Sequence, residues 1–167
     1  AQELFMKTIN ISPILNASQI DPLVTVIRDS FKTVADDLNL TPENAPTNPA
    51  FINHSALQAS FDRGILFFGA FHNDHLIGCI AIEDSKKDHI FYIERLAVLP
   101  QHRHQNYGKK LMDFACNEIS KRGGKTVSIG IVNQNVVLKN WYLKYDFSVV
   151  STKAFDHLPF TVYIIKK

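Results

Sequence analysis

Residues 96–111 read LAVLPQHRHQNYGKKL and are the most informative stretch of the chain. An apolar run ends at Pro100, a polar and basic loop follows, and a helical pattern begins near Gly108. The free N–H groups of a first helical turn, together with the helix dipole, favour an anion there. Glycine lets the backbone approach a phosphate closely, and Arg103 and Lys109 add positive charge at either end of the loop. This stretch therefore predicts a strand, loop and helix suited to a phosphate group.

Two common nucleotide-binding loops do not fit this stretch. The chain has no G-x-x-x-x-G-K-[ST], which argues against a P-loop protein, and no G-x-G-x-x-G after a strand, which argues against a dinucleotide fold. A single strand–loop–helix with one glycine also describes an ordinary connection with a solvated basic loop. The stretch by itself therefore leaves that plainer interpretation open.

The hydrophobic periodicity around this stretch predicts alternating blocks of strands and helices. The predicted helices are one capped by Ser18 or Asp21 with apolar residues from Ile20 to Leu38, one from Asn48-Pro49 to Phe61, one over Gly108–Arg122 and one over Asn135–Tyr145. The predicted strands are Met6–Ile14, Ile65–Phe71, His75–Glu83, Ile90–Val98, Thr126–Val132, Phe147–Phe155 and Thr161–Ile165. This order predicts an α/β (α+β) fold with a mixed, mostly antiparallel central sheet of about seven strands and helices on both faces.

Length and composition place the chain among ordinary globular domains. Its 167 residues suit a single domain over 1–167, and a formal charge of +2 without a basic stripe argues against nucleic acid. No apolar run reaches the roughly 18 residues that span a bilayer, so we expect no membrane association. Cys79 and Cys116 lie in apolar patterns and lack metal-ligand spacing, which favours two buried thiols in a cytoplasmic protein.

The stretch from Val98 to Gly108 resembles the coenzyme A motif of the GNAT superfamily of N-acetyltransferases, V-x-P-x-x-R-x-x-G-x-G/A. Val98, Pro100, Arg103 and Gly108 match the motif. Asn106 stands where the first glycine usually lies, and asparagine tolerates a left-handed backbone better than most residues. The resemblance implies that this loop binds acetyl-CoA.

Residues 135–147 resemble the second GNAT signature, an Asn followed seven residues later by a Tyr and then by Gly-Phe. Asn135, Tyr142 and Phe147 fall in register, whereas Asp146 replaces the glycine. The two motifs lie in the family's order, and the element order agrees along nearly the whole chain. The resemblance therefore implies a GNAT-like sheet and a GNAT-like reaction.

Family members hold acyl-CoA between two splayed parallel strands, which here are Ile90–Val98 and Thr126–Val132. The resemblance implies that the strand backbone binds the pantetheine arm, as an added strand does, and that the loop binds the pyrophosphate. The residues it assigns to acetyl-CoA are Leu96, Ala97, Val98, Arg103, His104, Gln105, Asn106, Tyr107, Gly108, Lys109 and Asn135. A lone H-x-H at His102 and His104 is weak evidence for a metal, so we expect none.

The implied chemistry is direct transfer of an acetyl group to a primary amine. Tyr142 is the candidate acid for the leaving thiolate, and a tyrosine of the core is the alternative. Glu94 is the candidate base, because a carboxylate within an apolar strand is desolvated and its pKa rises. A structural ion pair or a solvent-facing glutamate is the alternative for Glu94.

The acceptor is not readable from the sequence, although a small molecule is favoured. Acetylation of a protein lysine or N-terminal amine is the first alternative, and a non-catalytic module that binds CoA is the second. The presence of both Tyr142 and Glu94 argues against the module. A homodimer is among the assemblies that the sequence leaves open.

Overall fold

The computed structural model describes residues 9–132, 136–144, 147–154 and 161–166. Four α-helices lie in these ranges: α1 (Ile20–Asp37), α2 (His54–Asp62), α3 (Tyr107–Lys121) and α4 (Val136–Leu143). The strands of the same ranges are β1 (Asn10–Pro13), β2 (Leu66–His72), β3 (His75–Asp84), β4 (Ile90–Val98), β5 (Thr126–Val132), β6 (Ser148–Ala154) and β7 (Thr161–Lys166). Each strand begins and ends within one residue of a predicted one, while the predicted start of β1, at residues 6–8, lies outside the described residues.

The described strands form one mixed sheet in the order β1-β2-β3-β4-β5-β7-β6. All neighbouring pairs are antiparallel except β4 and β5, which are parallel. Pro13 ends β1 at the edge of the sheet, where a residue without an N–H costs no ladder hydrogen bond. The mixed, mostly antiparallel sheet predicted from the sequence is confirmed.

Helices cover both faces of this sheet, as predicted. The apolar stripe of α3 packs on one face, against residues of β2, β3, β4 and β5. The buried residues of α1 and α2 pack on the other face, together with Phe67, Cys79 and Ala81. Side chains at alternate positions of β3 and β4 therefore enter two different cores, here called the α3 face and the α1/α2 face.

The helix predicted from Asn48-Pro49 to Phe61 is wrong in its first half. Asn48 caps only a short 3-10 turn over Pro49–Phe51, and Ile52 then adopts an extended backbone. Asn53 begins α2 afresh, because its side chain accepts a hydrogen bond from the N–H of Ala56 at 2.8 Å.

The start of α1 also differs from the prediction. A 3-10 turn with a capping box between Asn16 and Gln19 leads into the helix, so neither Ser18 nor Asp21 caps it.

None of the helices in the described ranges is both long and apolar enough to cross a bilayer.

Candidate active site

The parallel strands β4 and β5 diverge. They pair only where Ile90, Phe91 and Tyr92 face Thr126, Val127 and Ser128. Beyond Ser128, β5 continues beside β7, while β4 continues beside β3. A wedge therefore opens between the two strands, and the loop that leads to α3 begins at its wide end.

The edge of β4 that faces the wedge presents backbone groups. The N–H of Leu99 donates to the carbonyl of Ile77 on β3 at 2.9 Å. Because N–H groups alternate in direction along a strand, those of Val98 and Leu96 point away from β3, towards the wedge. Ala97 instead faces β3 opposite Cys79, and its side chain is buried on the α1/α2 face. Of the three residues predicted on this strand, Leu96 and Val98 have N–H groups that face the wedge, and their binding of acetyl-CoA stays a prediction.

Arg103 ties the loop to the body of the protein. Its Nη2 donates to the carbonyl of Ser30 in α1 at 2.6 Å, and its Nε donates to the carbonyl of Val98 at 3.3 Å. Arg103, the predicted pyrophosphate ligand, thus donates to two backbone carbonyls. These hydrogen bonds hold the loop between α1 and the end of β4.

The loop enters α3 through a left-handed residue. Asn106 has φ 64° and ψ 17°, the conformation that glycine commonly supplies at this position of the motif. The first helical bond of α3 runs from the N–H of Lys110 to the carbonyl of Asn106 at 3.1 Å. The N–H groups ahead of this bond lie at the positive end of the helix dipole, where an anion is stabilised.

The other loop residues predicted to bind acetyl-CoA differ in their burial and in their contacts. His104 is exposed and left-handed, with φ 64°, whereas Gln105 is half-buried. The Tyr107 side chain is buried in the α3-face core. A Cβ at Gly108 would lie 3.6 Å from the Trp141 indole, so Gly108 is the point where α4 approaches α3. The Nζ of Lys109 forms an exposed ion pair with Asp113 at 2.7 Å.

Asn135, the predicted pantetheine contact of the second motif, lies outside the described residues. The described part of that motif begins with α4.

Glu94 lies on the α1/α2 face of β4 and is half-buried. It pairs with Ala81 on β3, while Glu83 pairs with Tyr92, so the two glutamates are diagonal neighbours on one face. Burial raises the pKa of Glu94, and the Glu83 carboxylate raises it further. Arg95 and Arg63 act in the opposite direction. The net increase is the one predicted for a desolvated base.

A β-bulge follows Glu94 directly. Ala81 pairs with Glu94 and Cys79 pairs with Ala97, so one residue of β3 faces the two residues Arg95 and Leu96. Arg95 has φ 53°, which is unfavourable for a side chain of this size. The bulge returns Leu96 to the α3 face and leaves Glu94 and Ala97 on the other face.

Arg95 and Glu83 were not predicted from the sequence. The Nε of Arg95 is buried and has no hydrogen-bond partner among the residues that the structure describes. An arginine beside a glutamate within an apolar strand was the available signal for Arg95. Nothing local marked Glu83, because its place beside Glu94 depends on strand register.

Tyr142 lies in α4 and is only 3% exposed. Its ring packs edge-on against Trp141 and Phe147, with centroid distances of 5.1 and 5.6 Å. Burial raises the pKa of the Tyr142 phenol, so the hydroxyl keeps its proton at neutral pH. Leu96 and Val98 pack against the same cluster. The candidate acid therefore belongs to the α3 face, and the candidate base belongs to the α1/α2 face.

No group of three or more metal-ligating side chains occurs within the described ranges. The absence of a metal from the reaction stays a prediction.

A model of the acetyltransferase (GNAT) domain matches residues 37–167. The match covers well over half of the chain, so the protein belongs to the GNAT acetyltransferase family and is an acyltransferase.

Solved structures with the same fold extend over nearly the whole chain. The PaiA N-acetyltransferase from Thermoplasma acidophilum, solved in complex with coenzyme A, is 25% identical with a TM-score of 0.78, covering 96% of this chain and 98% of that chain. The ribosomal-protein-S18-alanine N-acetyltransferase from Escherichia coli is 14% identical with a TM-score of 0.73, covering 95% and 92%. A probable acetyltransferase from Staphylococcus epidermidis is 16% identical with a TM-score of 0.74, covering 96% and 98%. A search of curated protein sequences found no match.

Proposed function

We propose that the protein transfers an acetyl group from acetyl-CoA directly to a primary amine of a small molecule. The observation that carries the proposal is the wedge between β4 and β5, which opens beyond Tyr92 and Ser128. A strand edge with outward N–H groups and a helix N-terminus meet at this wedge. These are the two features that bind a pantetheine amide and a pyrophosphate. The family membership and the coenzyme A complex of the PaiA enzyme support the same ligand.

The residues around the wedge have complementary chemistry for acyl transfer. The N–H of Leu96 points to the wedge and is the proposed donor to the oxyanion that develops on the acetyl carbonyl. Glu94 removes a proton from the attacking amine, and Tyr142 gives a proton to the departing thiolate. The acceptor amine thus loses a proton on one face of β4, and the departing thiolate gains a proton on the other face. Direct transfer requires no covalent enzyme intermediate.

The acceptor side supports a small amine. Glu94 and Glu83 are both half-buried, and the pKa of Glu94 responds to Arg63 as well as to Arg95. This mixed-charge environment differs from the wide acidic groove that would suit a basic protein segment.

The test is thiol release from acetyl-CoA across a panel of acceptors, with the acetylated product identified by mass spectrometry. The panel contains polyamines, amino acids, aminoglycosides and peptides with a free lysine or N-terminal amine. We expect turnover of a small amine at a kcat/KM well above that of every peptide. Preference for a peptide would contradict the small-molecule acceptor. Tight binding of acetyl-CoA without acetylation of any amine would instead support the non-catalytic module.

A further inference from the structure

The bulge of β4 needs an interaction that holds it. The bulge places an extra residue in β4, and that residue, Arg95, adopts a left-handed backbone without being glycine. An extra residue in a bulge is left out of the regular strand ladder, so its backbone groups need other partners. The carbonyl of Arg95 finds one in the thiol of Cys79, whose Sγ lies 3.3 Å from it.

Cys79 is suited to serve as a permanent donor. It is fully buried on the α1/α2 face, beside Ala81 and Ala97. Burial raises the pKa of the Cys79 thiol to about 12, so the sulfur keeps the proton that it donates to Arg95. A thiol is a weak donor, but here it meets the carbonyl of the residue inserted at the bulge.

Two proposed catalytic groups flank the residue that Cys79 contacts. Glu94 immediately precedes Arg95, and the N–H of Leu96 immediately follows it. A shift of the bulge by one residue towards the N-terminus would turn Glu94 away from Glu83, and a shift towards the C-terminus would move Leu96 to the opposite face. The geometry of both groups therefore depends on the conformation at Arg95.

We propose that Cys79 is a positioning residue, whose thiol anchors the Arg95 carbonyl and so orients the base Glu94 and the Leu96 N–H. This inference rests on the proposed function for its kinetic consequence, but the anchor itself is independent of which amine is acetylated.

Three substitutions of Cys79 distinguish the loss of the hydrogen-bond donor from a change in side-chain volume. Cys79→Ala removes the donor and leaves a small residue like its neighbour Ala81, Cys79→Val removes the donor and fills the space, and Cys79→Ser keeps a donor. We expect kcat to fall about tenfold in the Ala and Val variants, since small misplacements of reacting groups are costly. The KM for acetyl-CoA should stay within about twofold, and Ser should retain most of the wild-type kcat.

The pH dependence provides a second readout. The acidic limb of kcat/KM reports the pKa of the base, which Glu83, Arg95 and Arg63 all influence. The limb should move in the Ala and Val variants and stay in place in the Ser variant. A purely structural role would change stability without moving this limb.

Cys116 supplies the matched control. It is the other cysteine of the chain, it is half-buried in α3, and its Sγ lies 3.9 Å from the sulfur of Met112. Cys116→Ala should leave kcat and the pH profile unchanged. Amide hydrogen exchange of residues 93–98 should rise in Cys79→Ala and Cys79→Val and remain at the wild-type level in Cys79→Ser.

The outcomes separate the inference from the proposed function. If Ala and Val change kcat and exchange no more than Cys116→Ala does, or if Ser behaves like Val, the positioning role is wrong. If no amine is acetylated by the wild type, the proposed function fails. The exchange experiment then still decides whether Cys79 anchors the bulge.

Discussion

The two faces of β4 contribute different chemical groups to the candidate site. On the α3 face, the features are mainly backbone: the N–H groups of Leu96 and Val98, the left-handed turn at Asn106 and the first turn of α3. On the α1/α2 face, they are charged side chains, among them Glu94 and Arg95. The cofactor side therefore depends on the path of the backbone. The acceptor side depends on which side chains are present and on the register between the strands that carry them.

This difference indicates how each side responds to substitution. A change on the charged face should alter the chemical step and its pH dependence while acetyl-CoA binding persists. A change in the loop should alter CoA affinity and stability while the pH profile persists. Substitutions in the two regions test this separation.

Glu94→Gln should lower kcat/KM by roughly 10²- to 10⁴-fold, the usual contribution of a positioned general base. The kcat/KM of the wild type should rise with pH as Glu94 ionises, which gives the pH profile an acidic limb. Because burial raises the pKa of Glu94, this limb should lie at higher pH than for an ordinary carboxylate. The limb should vanish in the variant, while CoA affinity by calorimetry stays the same. An unshifted pH–rate profile would show that Glu94 is not the base.

Glu83→Gln and thermal unfolding sharpen the same prediction. Because Glu83 raises the pKa of Glu94, its replacement should move the limb to lower pH and retain activity at neutral pH. A carboxyl group whose pKa is raised on folding stabilises the fold at low pH and loses that contribution as pH rises through the raised value. Glu94→Gln should therefore have the higher Tm at neutral pH, and the advantage should disappear in acid.

Tyr142→Phe should lower kcat by about a hundredfold, because the departing thiolate loses its proton donor. Acetyl-CoA binding should persist, since the ring keeps its packing against Trp141 and Phe147. Tyr92→Phe is the control, because Tyr92 is an exposed tyrosine on the other face of β4. Equal kcat values for the two variants would assign Tyr142 to the core alone.

Arg103→Gln should destabilise the protein by about 2 kcal/mol, because two carbonyls lose a charged donor. Its CoA affinity should fall as the loop loosens. Arg122→Gln is the control, since Arg122 is exposed, its Nε lies 3.6 Å from a carboxylate oxygen of the half-buried Glu118, and surface ion pairs contribute less than about 1 kcal/mol. Urea unfolding and calorimetry measure the two effects. Lost affinity with unchanged stability would mean that Arg103 binds the pyrophosphate instead of positioning the loop.

Asn106→Gly and Asn106→Ala should differ by about 1 kcal/mol in stability, with Gly the more stable, because the left-handed backbone penalises a Cβ. We expect CoA affinity to follow the same order, with a change of a few fold. The kcat/KM pH limb should stay in place in both variants. Equal stabilities would show that residue 106 is not held left-handed in solution.

The sequence predicted most of the sheet because its strands alternate in hydrophobicity and its turns are marked. β4 and β5 were predicted with their observed ends. The start of the second helix was one error: Asn48-Pro49 looks like a helix start, yet Asn53 provides a competing cap only five residues later. Two nearby capping signals cannot be ranked without knowing which apolar face reaches the core.

The candidate site was predicted unevenly. The loop and Tyr142 could be proposed because their motifs are local in sequence, and their roles stay predictions. Arg103 was predicted as a phosphate ligand, but its hydrogen bond to the Ser30 carbonyl was not foreseen, since Ser30 is 73 residues away along the chain. Glu94 was recognised as a desolvated carboxylate, although Glu83 as its neighbour was not.

By itself, the sequence determined the order of elements, the strand–loop–helix that suits a phosphate and the residue types available for acid–base chemistry. These properties are local, because periodicity, glycine and proline act over a few residues. The point where β4 leaves β5, the position of the bulge and the hydrogen bond from Cys79 to Arg95 became known only from the folded structure. Those features depend on register between strands, and register is set by the packing of both faces of the sheet at once.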